Sequence, residues 1–153
     1  MTRSQPNCDS KRILIVDDNK MGLSARRSVL QAVGHMVTTA SSGVEALELF
    51  RGGAFDLVVT DYKMPEMTGV ELIVELRKIS PNLPIVLISG FTDTLGLTEA
   101  NTQADAVLQK SSNEVAQLTR AVSRLLIKAQ RKPPGTSKGS LGQRAAAKRR
   151  SVL

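Results

Sequence analysis

Ile13-Leu14-Ile15-Val16-Asp17-Asp18 reads as a buried strand that stops on two acids, and Leu57-Val58-Val59-Thr60-Asp61 repeats the pattern. A continuous apolar run leaves no face for water, so each strand needs cover on both sides, as in a parallel sheet between two layers of helices. Two further runs close on other chemistry: Ile85-Val86-Leu87-Ile88 on the hydroxyl of Ser89, and Ala106-Val107-Leu108 on the ammonium of Lys110. Three acids at one sheet edge repel each other unless a cation joins them. With Ser89 and Lys110 beside them, the set can hold a divalent metal and a phosphoryl group.

Outward from these runs, short apolar segments alternate with stretches of helical period. The spacing predicts strands over roughly 12–17, 35–40, 56–61, 84–89 and 105–109, with helices between and after them. The fold class is therefore α/β, a doubly wound five-stranded parallel sheet with five helices. Ser42-x-x-Glu45, Thr68-x-x-Glu71 and Ser111-x-x-Glu114 each have the form of a capping box at a helix start. In the last helix Val115, Leu118, Val122, Leu125, Leu126 and Ala129 make one apolar stripe, which packing against the sheet explains. The fourth helix, near Thr92 to Asn101, is weakly written: Gly96 lies inside it, and Leu95 and Leu97 are its only large apolar residues. A marginal element beside the acids is a candidate for movement.

The 153 residues suffice for one core that buries about two-thirds of its unfolded surface. Met1 to Ser10 form a polar leader without an apolar h-region, and no apolar stretch approaches the ~18 residues of a membrane span. The single cysteine, Cys8, excludes an internal disulfide, and a reducing cytoplasm suits the chain. The net charge of +7 is uneven: residues 1–130 hold fourteen acids and fourteen bases, whereas 131–153 hold seven bases and no acid. Pro133-Pro134-Gly135 ends the last helix, and the Gly, Ser, Ala and base-rich tail beyond it has the composition of a disordered segment. The expected division is a leader over 1–10, one domain over 11–130 and a basic tail over 131–153.

In open parallel sheets ligands bind beyond the carboxyl ends of the strands, where the strand order reverses. Magnesium, which prefers oxygen ligands and keeps several waters, suits one or two carboxylates plus a phosphate oxygen. A carboxylate can attack phosphorus and form an acyl phosphate if charge on the transferring oxygens is neutralised. Asp61 then reads as the acceptor, Lys110 as the neutralising cation and Ser89 as a switch hydroxyl. Acids also follow strands as turn formers, and a terminal lysine is commonly just solvated. It is their joint occurrence on several strand ends that points to a site.

These residues carry a family resemblance. Ile15-Val16-Asp17-Asp18-Asn19, Thr60-Asp61-Tyr62-Lys63-Met64-Pro65-Glu66-Met67-Thr68-Gly69, Ile88-Ser89-Gly90 and Leu108-Gln109-Lys110 make residues 11 to 129 resemble the receiver domain of two-component response regulators. Gly34-His35-Met36-Val37 and Ser42-Gly43-Val44-Glu45-Ala46-Leu47 add to it. The resemblance implies a flavodoxin-like receiver fold of the stand-alone, CheY-like kind. It also implies that Asp61 accepts a phosphoryl group from a histidine kinase or histidine phosphotransfer protein. Asp18, Asp61 and the backbone carbonyl of Lys63 would bind Mg2+, with Asp17 assisting through water. His35 is left a structural role at the start of strand two.

The chain departs from the family's usual wording at several places. Val107 stands where the family has a Tyr or Phe whose ring swings inward on activation, Ser111 where it has a Pro, and Gln103-Ala104 where it has Gly-Ala. Phe91, two residues beyond Ser89, occupies a position that in the family influences how water reaches the phosphoryl group, so its bulk is expected to slow self-hydrolysis.

The 23 residues after Gln130 are too few for an output module with its own core. A signal would then pass to an unknown target protein by direct binding. The alternative is a degenerate receiver, or a piece of a larger regulator, whose tail binds nucleic acid or an acidic partner through its bases without aromatic stacking. An enzyme on this fold is disfavoured: position 19 is Asn where a haloacid-dehalogenase-like phosphatase needs Asp-x-Asp, and no Gly-rich loop precedes a Lys.

Overall fold

A computed structural model describes residues 10–90 and 95–131. The strands are β1 (Arg12–Val16), β2 (Met36–Ala40), β3 (Leu57–Asp61), β4 (Ile85–Ser89) and β5 (Ala106–Gln109). They alternate with α1 (Lys20–Val33), α2 (Gly43–Gly52), α3 (Gly69–Ile79), α4 (Glu99–Thr102) and α5 (Glu114–Arg131). The sheet is parallel throughout, in the order β2-β1-β3-β4-β5. None of these helices is long and apolar enough to cross a membrane. The leader up to Asp9, the tail from Lys132 and Phe91 lie outside the described residues.

Alternate residues of each strand serve opposite cores, which is why the apolar runs are continuous. Leu14, Val16, Val58, Ile85 and Leu87 pack with Ala46, Leu47, Phe50, Leu72, Ile73 and Leu76 of α2 and α3. Ile13, Ile15, Leu57, Val59, Val86 and Ile88 pack with Leu23 and Leu30 of α1 and Leu118, Val122, Leu125 and Leu126 of α5. Of the three interior strands, β3 and β4 are buried at every position and β1 at all but Arg12.

The α5 stripe forms with one change of membership. Ala121 joins the buried set, whereas Val115 is 45% exposed and Ala129 is exposed, because the helix overhangs the sheet at both ends. Of the three expected capping boxes one is complete: Thr68 Oγ1 accepts from the Glu71 amide and the Glu71 carboxylate accepts from the Thr68 amide. At α2 the Ser42 hydroxyl caps the Glu45 amide, but the Glu45 carboxylate takes the amide and hydroxyl of Ser41 instead. At α5 the Glu114 carboxylate leaves the cap and bonds to Arg26. A box that reading for Glu or Gln does not find, Thr98 with Asn101, opens α4.

Of the fourth helix expected near Thr92 to Asn101, residues 92–94 lie outside the described ones, Leu95 is helical, and Glu99–Thr102 forms the separate four-residue α4. Gly96, at φ +64°, turns the chain just before it, and Leu97 alone of the two leucines packs against the core, Leu95 being 46% exposed. Gln103, where the family has Gly, adopts φ +66°. Arg77 fixes this left-handed turn by donating from Nε and Nη2 to the Gln103 carbonyl at 3.2 and 2.7 Å, and from Nη2 to Asp105 at 3.0 Å. His35 does take a structural part: its Nδ1 accepts from the Lys11 amide at 3.2 Å, pinning the entries of β1 and β2 together.

A left-handed backbone strains any residue with a Cβ, by roughly 1–2 kcal/mol, while glycine gives back about half of that through its freer unfolded state. Gln103→Gly should therefore raise stability by about 0.5–1 kcal/mol in urea unfolding; a loss of stability would show that the side chain is needed there.

Candidate functional site at the carboxyl edge of the sheet

The strand order reverses between β1 and β3, and the crevice there opens at the carboxyl ends of the strands. The register pairs Val16 with Thr60, Asp61 with Ile88 and Ser89 with Gln109, so Asp17, Asp61, Ser89 and Lys110 end level with one another. Backbone bonds hold this edge: Asp17 N to Ala40 O, Tyr62 N to Ile88 O and Lys110 N to Ser89 O, at 2.8–3.1 Å. The resulting open cleft, about 720 Å³, is lined by Asp17, Asp18, Asn19, Asp61, Lys63, Met64, Pro65, Ser89, Gly90 and Lys110. Every site residue expected from the sequence lies on it.

Asp17, Asp18 and Asp61 each offer a carboxylate oxygen, and these atoms lie within 4.8 Å of one another. Asp17 and Asp61 are buried and Asp18 is exposed. Lys110 Nζ stands 2.7 Å from Asp61 Oδ1. At that distance the ammonium is the partner of this buried oxygen. Burial pushes the Asp61 carboxyl above its usual range; Lys110 opposes this, and the negative charge of Asp17 adds to the rise. An acid triad on an open cleft fits a hard divalent cation, which seeks carboxylate oxygens and keeps waters on its open side.

Asn19 reconciles the turn reading of these residues with the site reading. Its side chain caps α1 by accepting from the amides of Met21 and Gly22, and its own amide donates to Asp17 Oδ1 at 3.0 Å. Gly69 sets the height of Asp61 from below: its amide donates to the Tyr62 carbonyl at 2.8 Å, and a Cβ on it would collide with the Asp61 carbonyl oxygen and stand 2.9 Å from Leu87 Cδ1. Val107, in the place of the family's aromatic ring, is half-buried against the core. No described peptide bond is cis, so Lys110–Ser111 is trans.

Sequence reasoning missed Arg26. This residue of α1 is 3% exposed and donates from Nη1 to Asp17 Oδ2 and from Nε to Glu114 Oε2, both at 2.7 Å. Burial alone would lower its pKa, but the bond to Glu114 and the charges of Glu114, Asp17 and Asp61 outweigh it and hold the guanidinium above its ordinary value. A signal was present: Leu23, Arg26 and Leu30 share one buried face at three- and four-residue spacing, and a charge inside such a stripe requires a buried partner.

Two predictions follow from this geometry. Because the folded-state pKa of Asp61 lies above its unfolded value, its ionised form opposes folding once pH rises past the ordinary carboxylate range. In metal-free protein Asp61→Asn should thus raise the thermal midpoint at pH 7, with the gain fading toward pH 4, where the unfolded carboxyl also binds its proton (about pKa 3.9). A midpoint lowered at pH 7 would contradict the burial account. Gly69→Ala, by forcing Asp61 off its neighbours, should destabilise by roughly 1–3 kcal/mol in chemical denaturation; a neutral result would mean the turn has room to spare.

Residues 13–123 match the response regulator receiver domain family. The sensor kinase CckA of Brucella abortus (strain 2308) is 41% identical over 86 residues, 55% of this chain and 9% of its own length. The chain spans between 9% and 34% of the curated relatives it matches. Among solved structures, the response regulator TrrA of Thermotoga maritima, in complex with Mg(2+)-BeF, is 34% identical with a TM-score of 0.69, over 75% of this chain and 98% of that one. A CheY-like receiver domain protein of Methanospirillum hungatei JF-1 has a TM-score of 0.74 at 28% identity, over 81% and 99% of the two chains. The sheet order, the acid cleft and these matches agree: the chain belongs to the response regulator receiver domain family, a non-enzymatic signalling module of two-component systems.

Proposed function

We propose that this chain takes a phosphoryl group onto Asp61 from a sensor histidine kinase or a histidine phosphotransfer protein, in the cytoplasm, and passes the signal on by binding a target protein. The observation that carries the reading is the setting of Asp61: buried, paired with Lys110 at 2.7 Å, and within 4.8 Å of the other two acids of the triad.

The Asp61 carboxylate is the nucleophile. It forms an oxygen–phosphorus bond while the phosphorus–nitrogen bond of the donor's histidine breaks, its electron pair going to the imidazole. Lys110 stands where it neutralises charge on one phosphoryl oxygen. Ser89, buried at the end of β4, donates to another and draws that strand end toward Asp61, which turns a local event into a change of surface. Asp18, Asp61 and the backbone carbonyl of Lys63 would hold Mg2+, with Asp17 assisting through water, and such a cation would supply neutralising charge for the acids and the transferring oxygens. The response regulator TrrA of Thermotoga maritima, solved in complex with Mg(2+)-BeF, supports a magnesium-dependent reading of this chain. With Val107 in the place of a ring, the readout rests on Ser89 and the β4 end rather than on a swinging aromatic side chain.

Intact mass after incubation with acetyl phosphate and magnesium tests the reading. One phosphoryl adduct is expected on wild type, lost on removal of magnesium and in Asp61→Asn. Folded wild-type protein that stays unmodified would leave a receiver that signals by binding alone.

A further inference from the structure

Behind the cleft, on α1, lies a buried cation that the receiver reading leaves without a task. Arg26 is joined at once to Asp17, a member of the acid triad, and to Glu114, the first residue of α5. Gly22 makes room for the first of these pairs: a Cβ there would lie 2.6 Å from Asp17 Oδ2 and 3.7 Å from Arg26 Nη1. Glycine inside a helix costs about 1 kcal/mol relative to alanine, so the chain accepts a weaker α1 to let Asp17 reach Arg26.

A carboxylate oxygen held at 2.7 Å by a guanidinium is less available to a metal, and a guanidinium shared between two carboxylates binds each less tightly than one alone. Resting on the Mg2+ reading above, we infer that Arg26 is a positioning residue: an internal counter-cation that competes with magnesium for Asp17 and, through Glu114, ties occupancy of the cleft to the first turn of α5. When the metal draws on Asp17, Arg26 is left to Glu114 and grips the start of α5 more tightly. The coupling is reciprocal, so whatever engages Glu114 alters the metal site. The surface that senses the cleft is then the α1–α5 side of the sheet, reached without passing through β4.

The two ends of the bridge should act on the metal in opposite directions. Arg26→Met frees Asp17 and should tighten magnesium binding by roughly fivefold or more, while Glu114→Gln gives Arg26 wholly to Asp17 and should weaken it by a similar factor. The readout is the rise of the thermal midpoint over a magnesium chloride series, which reports affinity through the stabilisation of the folded state. Run in about 1 M KCl, where the Debye length is about 3 Å, the series screens distant charge effects but not a buried contact. The two variants moving apart support the inference; weakened or unchanged binding in Arg26→Met, or unchanged or tightened binding in Glu114→Gln, overturns it. Should Arg26→Met not fold, Glu114→Gln decides alone, since Glu114 is partly exposed and off the core. A wild type without any response to magnesium removes the metal reading and this inference with it, whereas a responsive wild type with variants that do not separate removes the inference only.

Discussion

The constraint on which the site depends is electrostatic. Three carboxylates meet at the carboxyl edge of β1 and β3, where Lys110 pairs with Asp61 and Arg26 with Asp17. Unit like charges within 4.8 Å of one another repel by at least about 3.5 kcal/mol at an effective dielectric of about 20, a large share of a domain's net stability. Neither acid can retreat, because Asp17 follows a strand buried at its last four positions and Asp61 ends one buried throughout, and the side chains of both strands serve the two cores. The fold thus gathers negative charge at this edge, which a bound cation would relieve and which an anionic phosphoryl group on Asp61 would deepen.

That arrangement explains several local choices that are unfavourable by themselves. Asp61 keeps its carboxylate buried, which is poor for stability and useful for a nucleophile or a metal ligand. Gly22 and Gly69 leave space around Asp17 and behind Asp61. Arg26 occupies a core-facing position of α1, where leucine would pack at lower cost in desolvation, and does so between two carboxylates.

Most of the fold was legible because its signals are local: continuous apolar runs mark strands covered on both faces, and the acids, hydroxyl and lysine that end them mark the edge where a site forms. All five strands agree with the sequence reading to within a residue or two, and the triad Asp17, Asp18 and Asp61 meets as expected. What escaped depended on contacts across the chain. Glu114 has the spacing of a capping residue, and nothing near it in sequence reveals that Arg26, 88 residues away, takes its carboxylate. Likewise Gln103 is an unpromising left-handed residue until Arg77, 26 residues earlier, is seen to hold its carbonyl. Val115 and Ala129 fit the period of the α5 stripe, but the sheet beneath is too short to cover them.

The most direct test of the account is a crystal structure of the full chain grown with magnesium and beryllium fluoride. The account predicts one metal bound by Asp18, Asp61 and the Lys63 carbonyl, with the fluoride group on Asp61 between Lys110 and Ser89. A cleft with neither group, in crystals where both are present in solution at saturating concentration, would contradict it.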